Sequence, residues 1–253
     1  MTIETPKISH VPALRALFTE AFHDDDGFID GFFSIAYSPE RTRILIENDE
    51  IKAALYWFDC RLSDERIAYI FGVSTAKPER GRGLCTALMT DTHEHLRSLG
   101  YSGAILVPAE DSLYDFYERL GYRCISGIDE IEVTASKKPA DIDEISPEEY
   151  YAIREELLPK GGISESIELI RLLASDTKLY TGTDFLLAAR KIGGRLVAIE
   201  LLGNREMAPD ITAALGCDRG SFRAIGNARR FSMIKSFKED LAEPTYFGIA
   251  LDI

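Results

Sequence analysis

A short turn rich in glycine and arginine stands at residues 78–86, directly after an apolar run at residues 67–73. Its sequence is Pro78-Glu79-Arg80-Gly81-Arg82-Gly83-Leu84-Cys85-Thr86. A glycine-rich turn between a strand and a helix directs several backbone N–H groups to one point, at the positive end of the helix dipole. Arginine adds forked cationic donors that match phosphate oxygens. The turn therefore predicts a pyrophosphate-binding site.

Two segments together resemble the cofactor motifs of the GNAT superfamily of N-acetyltransferases. Arg80-Gly81-Arg82-Gly83-Leu84-Cys85 is similar to the Gln/Arg-x-x-Gly-x-Gly/Ala motif and departs from it only at Cys85. Tyr117-Glu118-Arg119-Leu120-Gly121-Tyr122 resembles the family's Tyr-x-x-x-Gly-Phe/Tyr segment. The resemblance covers residues 1–135 and implies the α/β (α+β) GNAT fold, a mixed, mostly antiparallel sheet flanked by helices. It also implies acetyl-CoA as acyl donor, with no metal.

The same resemblance assigns cofactor-binding residues. The third strand of these proteins splays from its neighbour, and the matching positions, Val73 and Thr75, would offer backbone groups to the thioester and the pantetheine arm. For Val73 the alternative is an ordinary paired strand residue, and the two arginines of the turn could pair with other side chains instead of phosphate. Cys85, at a helix N-terminus, is not expected to be catalytic. The turn residues that would hold the pyrophosphate are Arg80, Gly81, Arg82, Gly83, Leu84, Cys85 and Thr86.

Tyr117 is the candidate general acid, because it stands four residues before Gly121, as the family's tyrosine does. A phenol is protonated at neutral pH and can donate a proton to the departing thiolate. The alternatives are a tyrosine of the hydrophobic core and a role for Tyr114, one turn away. No base is obvious, since Tyr69 occupies the position where some members carry glutamate. Glu65, four residues earlier on the same strand face, is the candidate; otherwise the amine arrives neutral, or an acid of the second half serves.

Composition limits the function classes. The net charge of −13 argues against nucleic acid as a partner and is compatible with a cationic amine substrate. No apolar run is long enough to span a membrane, and the N-terminus lacks the layout of a secretion signal. The four cysteines show no metal-binding spacing. We therefore expect a cytoplasmic protein with reduced thiols.

His93 and His95 lie two apart on a helix and are expected at the surface. His23-Asp24-Asp25-Asp26 is predicted as a solvated loop or an acidic lip over an amine site.

Hydrophobic periodicity predicts helices at 11–22, 82–99 and 112–120 and strands at 42–46, 51–58, 66–75 and 104–107. A polar segment at 134–145 divides a GNAT domain at 1–135 from a second, smaller α+β domain at 146–253. The second half repeats the order of elements without the phosphate turn: helices at 147–158 and 165–174, a hairpin at 185–191 and 195–202, a helix at 208–215 and strands at 222–225, 231–236 and 246–251. It is expected to be a degenerate GNAT-like lobe, as in the enhanced-intracellular-survival type, although the chain has no room for that type's third domain. The alternative is an unrelated α+β cap, and a homodimer is possible.

These patterns together predict an N-acetyltransferase. It would move an acetyl group directly from acetyl-CoA to a primary amine of a small molecule or peptide. The alternatives are a non-catalytic acyl-CoA-binding or sensing protein and a transferase of a longer acyl group.

Overall fold

The computed structural model describes residues 1–22 and 26–251. The predicted acidic loop at His23, Asp24 and Asp25 lies outside the described residues. The chain forms two compact units: residues 1–123 with 233–241, and residues 124–232 with 242–251. These limits differ from the 135–146 boundary drawn from sequence, because residues 124–134 belong to a strand that pairs within the second unit.

The first unit contains most of the elements that the periodicity predicts, including the 11–22 helix with the predicted bounds. Asn48 and Asp49 both adopt positive φ, which is the geometry of a tight hairpin turn. The short first strand has no counterpart among the predicted elements. In chain order the elements are β1 (Thr2–Glu4), α1 (Val11–Phe22), α2 (Asp26–Gly31), a π-helix (Phe32–Ala36), β2 (Thr42–Glu47), β3 (Glu50–Leu62), β4 (Glu65–Thr75), α3 (Leu84–Ser98), β5 (Gly103–Leu106) and α4 (Ser112–Arg119).

The sheet of the first unit runs β1-β2-β3-β4-β5. Its strands are antiparallel except for the β4–β5 pair, which is parallel and is joined by α3. The chain then leaves this unit and returns at Met233, where residues 233–236 pair antiparallel with β5. The first unit is thus a mixed, mostly antiparallel sheet flanked by helices, as predicted.

The second unit begins with a strand that follows α4 directly. Its first two helices and its central hairpin were predicted, but the strand at Lys178–Gly182 was not. The predicted strand at 246–251 is wrong: only one isolated bridge, from Tyr246 to Gly162, forms there. The elements are β6 (Arg123–Thr134), β7 (Asp143–Glu144), α5 (Pro147–Leu157), β8 (Ser164–Glu165), α6 (Ile167–Leu173), β9 (Lys178–Gly182), β10 (Phe185–Ile192), β11 (Arg195–Gly203), α7 (Ala208–Ala214), β12 (Arg219–Gly226) and β13 (Arg229–Ser236), whose residues 233–236 belong to the first unit.

The sheet order in the second unit is β7-β9-β10-β11-β12-β6. Two helices precede an antiparallel hairpin, β10–β11; α7 then connects β11 to β12, which lies parallel to β11. The first unit has the same order in β3–β4, α3 and β5. In each unit the parallel strand is flanked by an antiparallel strand from the other half of the sequence: β6 beside β12, and residues 233–236 beside β5. Descent of the second unit from a GNAT domain stays a prediction.

A fully buried polar cluster lies in the second unit. Arg154 on α5 forms a bidentate pair with Glu200, at 2.7 and 2.9 Å, and also pairs with Glu165. The hydroxyls of Tyr150 and Tyr246 donate to the two oxygens of Glu200, each at 2.8 Å. One arginine thus faces two carboxylates, and burial raises the pKa of Glu165 to about 8.

Candidate functional site

A β-bulge distorts β4 near its end. Ala54 pairs with Ser74 and Tyr56 with Phe71, so Leu55 alone opposes both Gly72 and Val73. Gly72 has a φ of +59°, and a Cβ there would come within 2.9 Å of the Tyr56 ring. Only glycine fits this position. The sequence reasoning missed Gly72, although a lone glycine within a strand pattern is a signal for a bulge.

β4 separates from β5 before it reaches the bulge. Their parallel pairing extends from Ile67–Gly103 to Tyr69–Ile105 and no further. The β4 edge beyond Tyr69 therefore has no β5 partner in the described part of the chain. Val73 and Thr75 lie on this separated segment and are half-buried. Backbone groups on such an edge are available to bind an extended ligand.

The glycine turn lies between the end of β4 and the first residue of α3. Gly81 and Gly83 have φ values of +79° and +78°, and Gly83 is the N-cap of α3. The first hydrogen bond of the helix runs from the Ala87 N–H to the Gly83 carbonyl, at 3.0 Å. The N–H groups of Leu84, Cys85 and Thr86 precede it, so they have no carbonyl one helical turn back. This is the geometry of a helix terminus that can accept an anion, and binding of pyrophosphate at this turn stays a prediction.

The two arginines of the turn pair with groups of the protein. The guanidinium of Arg82 forms a bidentate pair with Glu47, at 2.8 and 3.1 Å, and also pairs with Glu79. Arg80 donates through Nε to the Thr75 carbonyl at 3.2 Å. Both side chains are exposed, and exposed ion pairs are weak. The backbone of the turn, rather than these guanidinium groups, presents unpaired donors.

Cys85 is a poor nucleophile in this setting. Although a helix N-terminus lowers the pKa of a thiol, burial raises the pKa of Cys85 to about 11. A thiol with that pKa is almost entirely protonated at neutral pH. This agrees with the expectation that Cys85 serves as a small residue of the turn.

Tyr117 on α4 is buried, with 7% of its surface exposed. Its ring packs edge-on against Phe116 and Tyr122, at centroid distances of 5.1 and 5.8 Å. Burial, and secondarily the neighbouring Cys85, raise its pKa well above the usual value of 10. Its hydroxyl has no hydrogen-bond partner among the described residues. Tyr117 is therefore a protonated phenol beside the first turn of α3, with its proton available.

Glu65 lies apart from these groups. It begins β4, eight residues before Val73, which is about 26 Å along an extended strand. Its carboxylate pairs with Lys238, at 2.7 Å, and accepts a hydrogen bond from Ser102. The structure brings together Val73, Thr75, the turn and the first residues of α3, but it does not bring Glu65 to them.

The prediction that both histidines lie at the surface is wrong for His93. His93 is 2% exposed, because it faces the packed side of α3, whereas His95 is half-buried beside Trp57. The His93 Nε2 atom lies 2.8 Å from the Tyr122 hydroxyl. Within residues 1–22 and 26–251, no three His, Cys, Asp or Glu side chains come together as a metal-binding group.

Comparison with known proteins identifies the first half of the chain. Residues 2–125 match the model of the acetyltransferase (GNAT) domain family. No curated protein sequence matches the chain with significance. A GNAT acetyltransferase domain therefore occupies residues 2–125, and the site just described lies within it.

Solved structures with the same fold cover nearly the whole chain. A GCN5-related N-acetyltransferase from Anabaena variabilis has 13% identity and a TM-score of 0.72, with 92% of this chain and 72% of that one covered. A GCN5-related N-acetyltransferase from Kribbella flavida has 16% identity and a TM-score of 0.68, with 92% of this chain and 70% of that one covered. Eis1 from Mycobacterium abscessus has 17% identity and a TM-score of 0.67, with 93% of this chain and 74% of that one covered. At such identities the likeness establishes the fold, and it extends through both units.

No helix in the described part of the chain is both long and apolar enough to cross a bilayer.

Proposed function

We propose that this protein transfers an acetyl group from acetyl-CoA to a primary amine of a small molecule or peptide. The observation that carries this proposal is the separation of β4 from β5 next to the glycine turn. An extended pantetheine arm fits along the unpaired edge at Val73 and Thr75. A pyrophosphate fits the N–H groups of Leu84, Cys85 and Thr86. Both parts of the cofactor are thus accounted for by adjacent backbone.

The reaction is a direct transfer. The amine nitrogen attacks the thioester carbonyl, a C–N bond forms and the C–S bond breaks. A backbone N–H at the bulge stabilises the oxygen that gains charge. The amine loses one proton to solvent, the CoA thiolate gains one from the Tyr117 hydroxyl, and Tyr117 regains its proton from solvent, so that no net proton is released. Because Glu65 lies at the far end of β4, we propose that the amine binds in its neutral form.

The test is calorimetric titration with acetyl-CoA, followed by measurement of thiol release with polyamines, aminoglycosides and short peptides. We expect binding, and turnover with at least one amine. Binding without turnover on any amine or with any acyl group would favour an acyl-CoA sensor. Turnover with longer acyl-CoA alone would favour the longer-chain transferase. Absence of binding would contradict the proposal.

The protein's location and assembly are also proposals. All four cysteines are free thiols, which supports the proposal of a protein of the reducing cytoplasm; a homodimer is the assembly proposed. Fractionation of cells and measurement of molecular mass in solution test these two points.

A further inference from the structure

Lys235 reaches the catalytic region from a distant part of the sequence. It lies on residues 233–236, in register with Ala104 of β5. Its Nζ donates to the Leu120 carbonyl at 2.5 Å and lies 3.3 Å from His93 Nδ1. The last carbonyls of α4 have no partner within the helix, so Lys235 satisfies one of them. Gly121, the glycine of the tyrosine motif, has a φ of +88°, which favours glycine, and the Lys235 side chain lies beside it, with Cε 3.5 Å from the position of a Cβ.

The hydrogen bonds from Lys235 have a fixed direction. An ammonium group only donates, so His93 Nδ1 accepts and carries no proton. Burial, with the charges of Lys235 and Arg97, lowers the pKa of His93 to about 3, so the ring is neutral. Its one proton is therefore on Nε2, which donates to the Tyr122 hydroxyl at 2.8 Å. The Tyr122 hydroxyl therefore accepts the hydrogen bond from His93, and its own proton is not used in that contact.

Tyr122 lies directly against Tyr117. Their rings pack edge to face at 5.8 Å, and the Tyr122 N–H donates to the Tyr117 carbonyl at 3.1 Å. The Leu120 N–H donates to the same carbonyl at 3.0 Å. The carbonyl of Tyr117 and that of Leu120 are thus both held, the first by the turn itself and the second by Lys235.

We propose that Lys235, His93 and Tyr122 form a hydrogen-bonded relay that positions the acid Tyr117, with Lys235 as the positioning residue. This inference rests on the proposed function. An apolar side chain at position 235 would fill the same space without the cost of placing an ammonium group in a partly buried site. A charged donor at this point fixes the histidine tautomer and the end of α4, and with them the Tyr117 ring.

A double-mutant cycle tests the relay. Lys235→Met should lower kcat by about 10-fold, since a small misplacement of a catalytic group is costly, and should leave the KM for acetyl-CoA unchanged. In a Tyr117→Phe background the same substitution should change kcat by less than about 2-fold, because the group it positions is gone. An equal loss in both backgrounds, or no loss in the parent protein, overturns the proposal.

Three variants complete the test. Lys238→Met is the matched control, because Lys238 lies three residues beyond Lys235, pairs with the half-buried Glu65 and should leave kcat unchanged. Lys235→Arg should restore part of kcat, since a guanidinium also donates. If Lys235→Met does not fold, Tyr122→Phe replaces it in the cycle, because it keeps the ring and removes only the hydroxyl.

A measurement without turnover separates this inference from the proposed function. Nitrogen chemical shifts of the His93 ring should report a neutral imidazole protonated on Nε2 at pH 7. Lys235→Met should shift the Nδ1 signal. A cationic ring, or one protonated on Nδ1, overturns the relay even if the enzyme is active. Failure of acetyl transfer with the expected tautomer would count against the proposed function alone.

Discussion

At the scale of the residue, Tyr117 combines burial, a raised pKa and a hydroxyl without a partner in the described chain. Tyr117→Phe should keep acetyl-CoA affinity and lower kcat by about 100-fold, the effect of removing a general acid. Steady-state kinetics with calorimetry measures both quantities. Tyr114→Phe, on the same helix, is the control and should stay within about 3-fold of the parent. An unchanged kcat in Tyr117→Phe would move the proton donor to Tyr114 or to water.

The pH dependence of the reaction follows from two residues. Because the pKa of Tyr117 is raised above its usual value of 10, the acid stays protonated through neutral and mildly alkaline pH, and it produces no fall in rate there. Because Glu65 lies far from Val73, the amine must lose its proton before it reacts. We expect log kcat/KM to rise with a slope of one up to the pKa of the amine. A plateau near neutral pH would reveal a general base.

At the scale of the element, the N-terminus of α3 is the proposed pyrophosphate site. Gly83→Glu places a carboxylate beside the pyrophosphate, at a residue with left-handed φ, and should reduce acetyl-CoA affinity by at least about 100-fold, or 2.7 kcal/mol. Gly100→Glu is the matched control, since Gly100 has a φ of +80° and open space at the other end of α3. The Gly100→Glu variant carries the same backbone strain and should bind acetyl-CoA with the affinity of the parent protein. Equal affinity of the two variants by calorimetry would remove the pyrophosphate from this turn.

The glycine turn, α3, α4 and the β2–β3 hairpin were predictable because each depends on neighbouring residues. Turn chemistry, helix periodicity and strand alternation are all local patterns. The pairing of residues 233–236 with β5 was not predictable, since no local pattern specifies a partner more than a hundred residues away. The contacts of Lys235 with Leu120 and His93 could not be predicted for the same reason. His93 was misplaced because the sequence does not show which face of α3 the chain later covers.

At the scale of the whole molecule, the buried cluster around Arg154 makes stability depend on pH. The pKa of Glu165 is raised from 4.5 to about 8, so the folded state holds a proton that the unfolded chain releases. This stabilisation is complete below pH 4.5 and is lost as pH rises through 8. We expect the free energy of unfolding to fall by about 1–2 kcal/mol between pH 6.5 and 8. Urea titrations at both pH values measure it.

Glu165→Gln should remove this pH dependence, because an amide does not titrate. Glu155→Gln, an exposed position on α5, is the control and should keep it. The window begins at pH 6.5 because His93, whose pKa is lowered, weakens the fold only as pH falls below its usual value of 6.5. A parent protein with constant stability from pH 6.5 to 8 would show that Glu165 is ionised when buried.

The return of residues 233–236 to β5 has a consequence for how the protein is made. A ribosome releases β5 more than a hundred residues before the strand that covers its edge. During translation, at about 5–20 residues per second, that edge stays open for several seconds or more. Lys235 is absent over the same interval, so the proposed relay to Tyr117 forms only after residues 233–236 have been synthesised. The first unit therefore completes its sheet only after the strand at residues 233–236 has been synthesised.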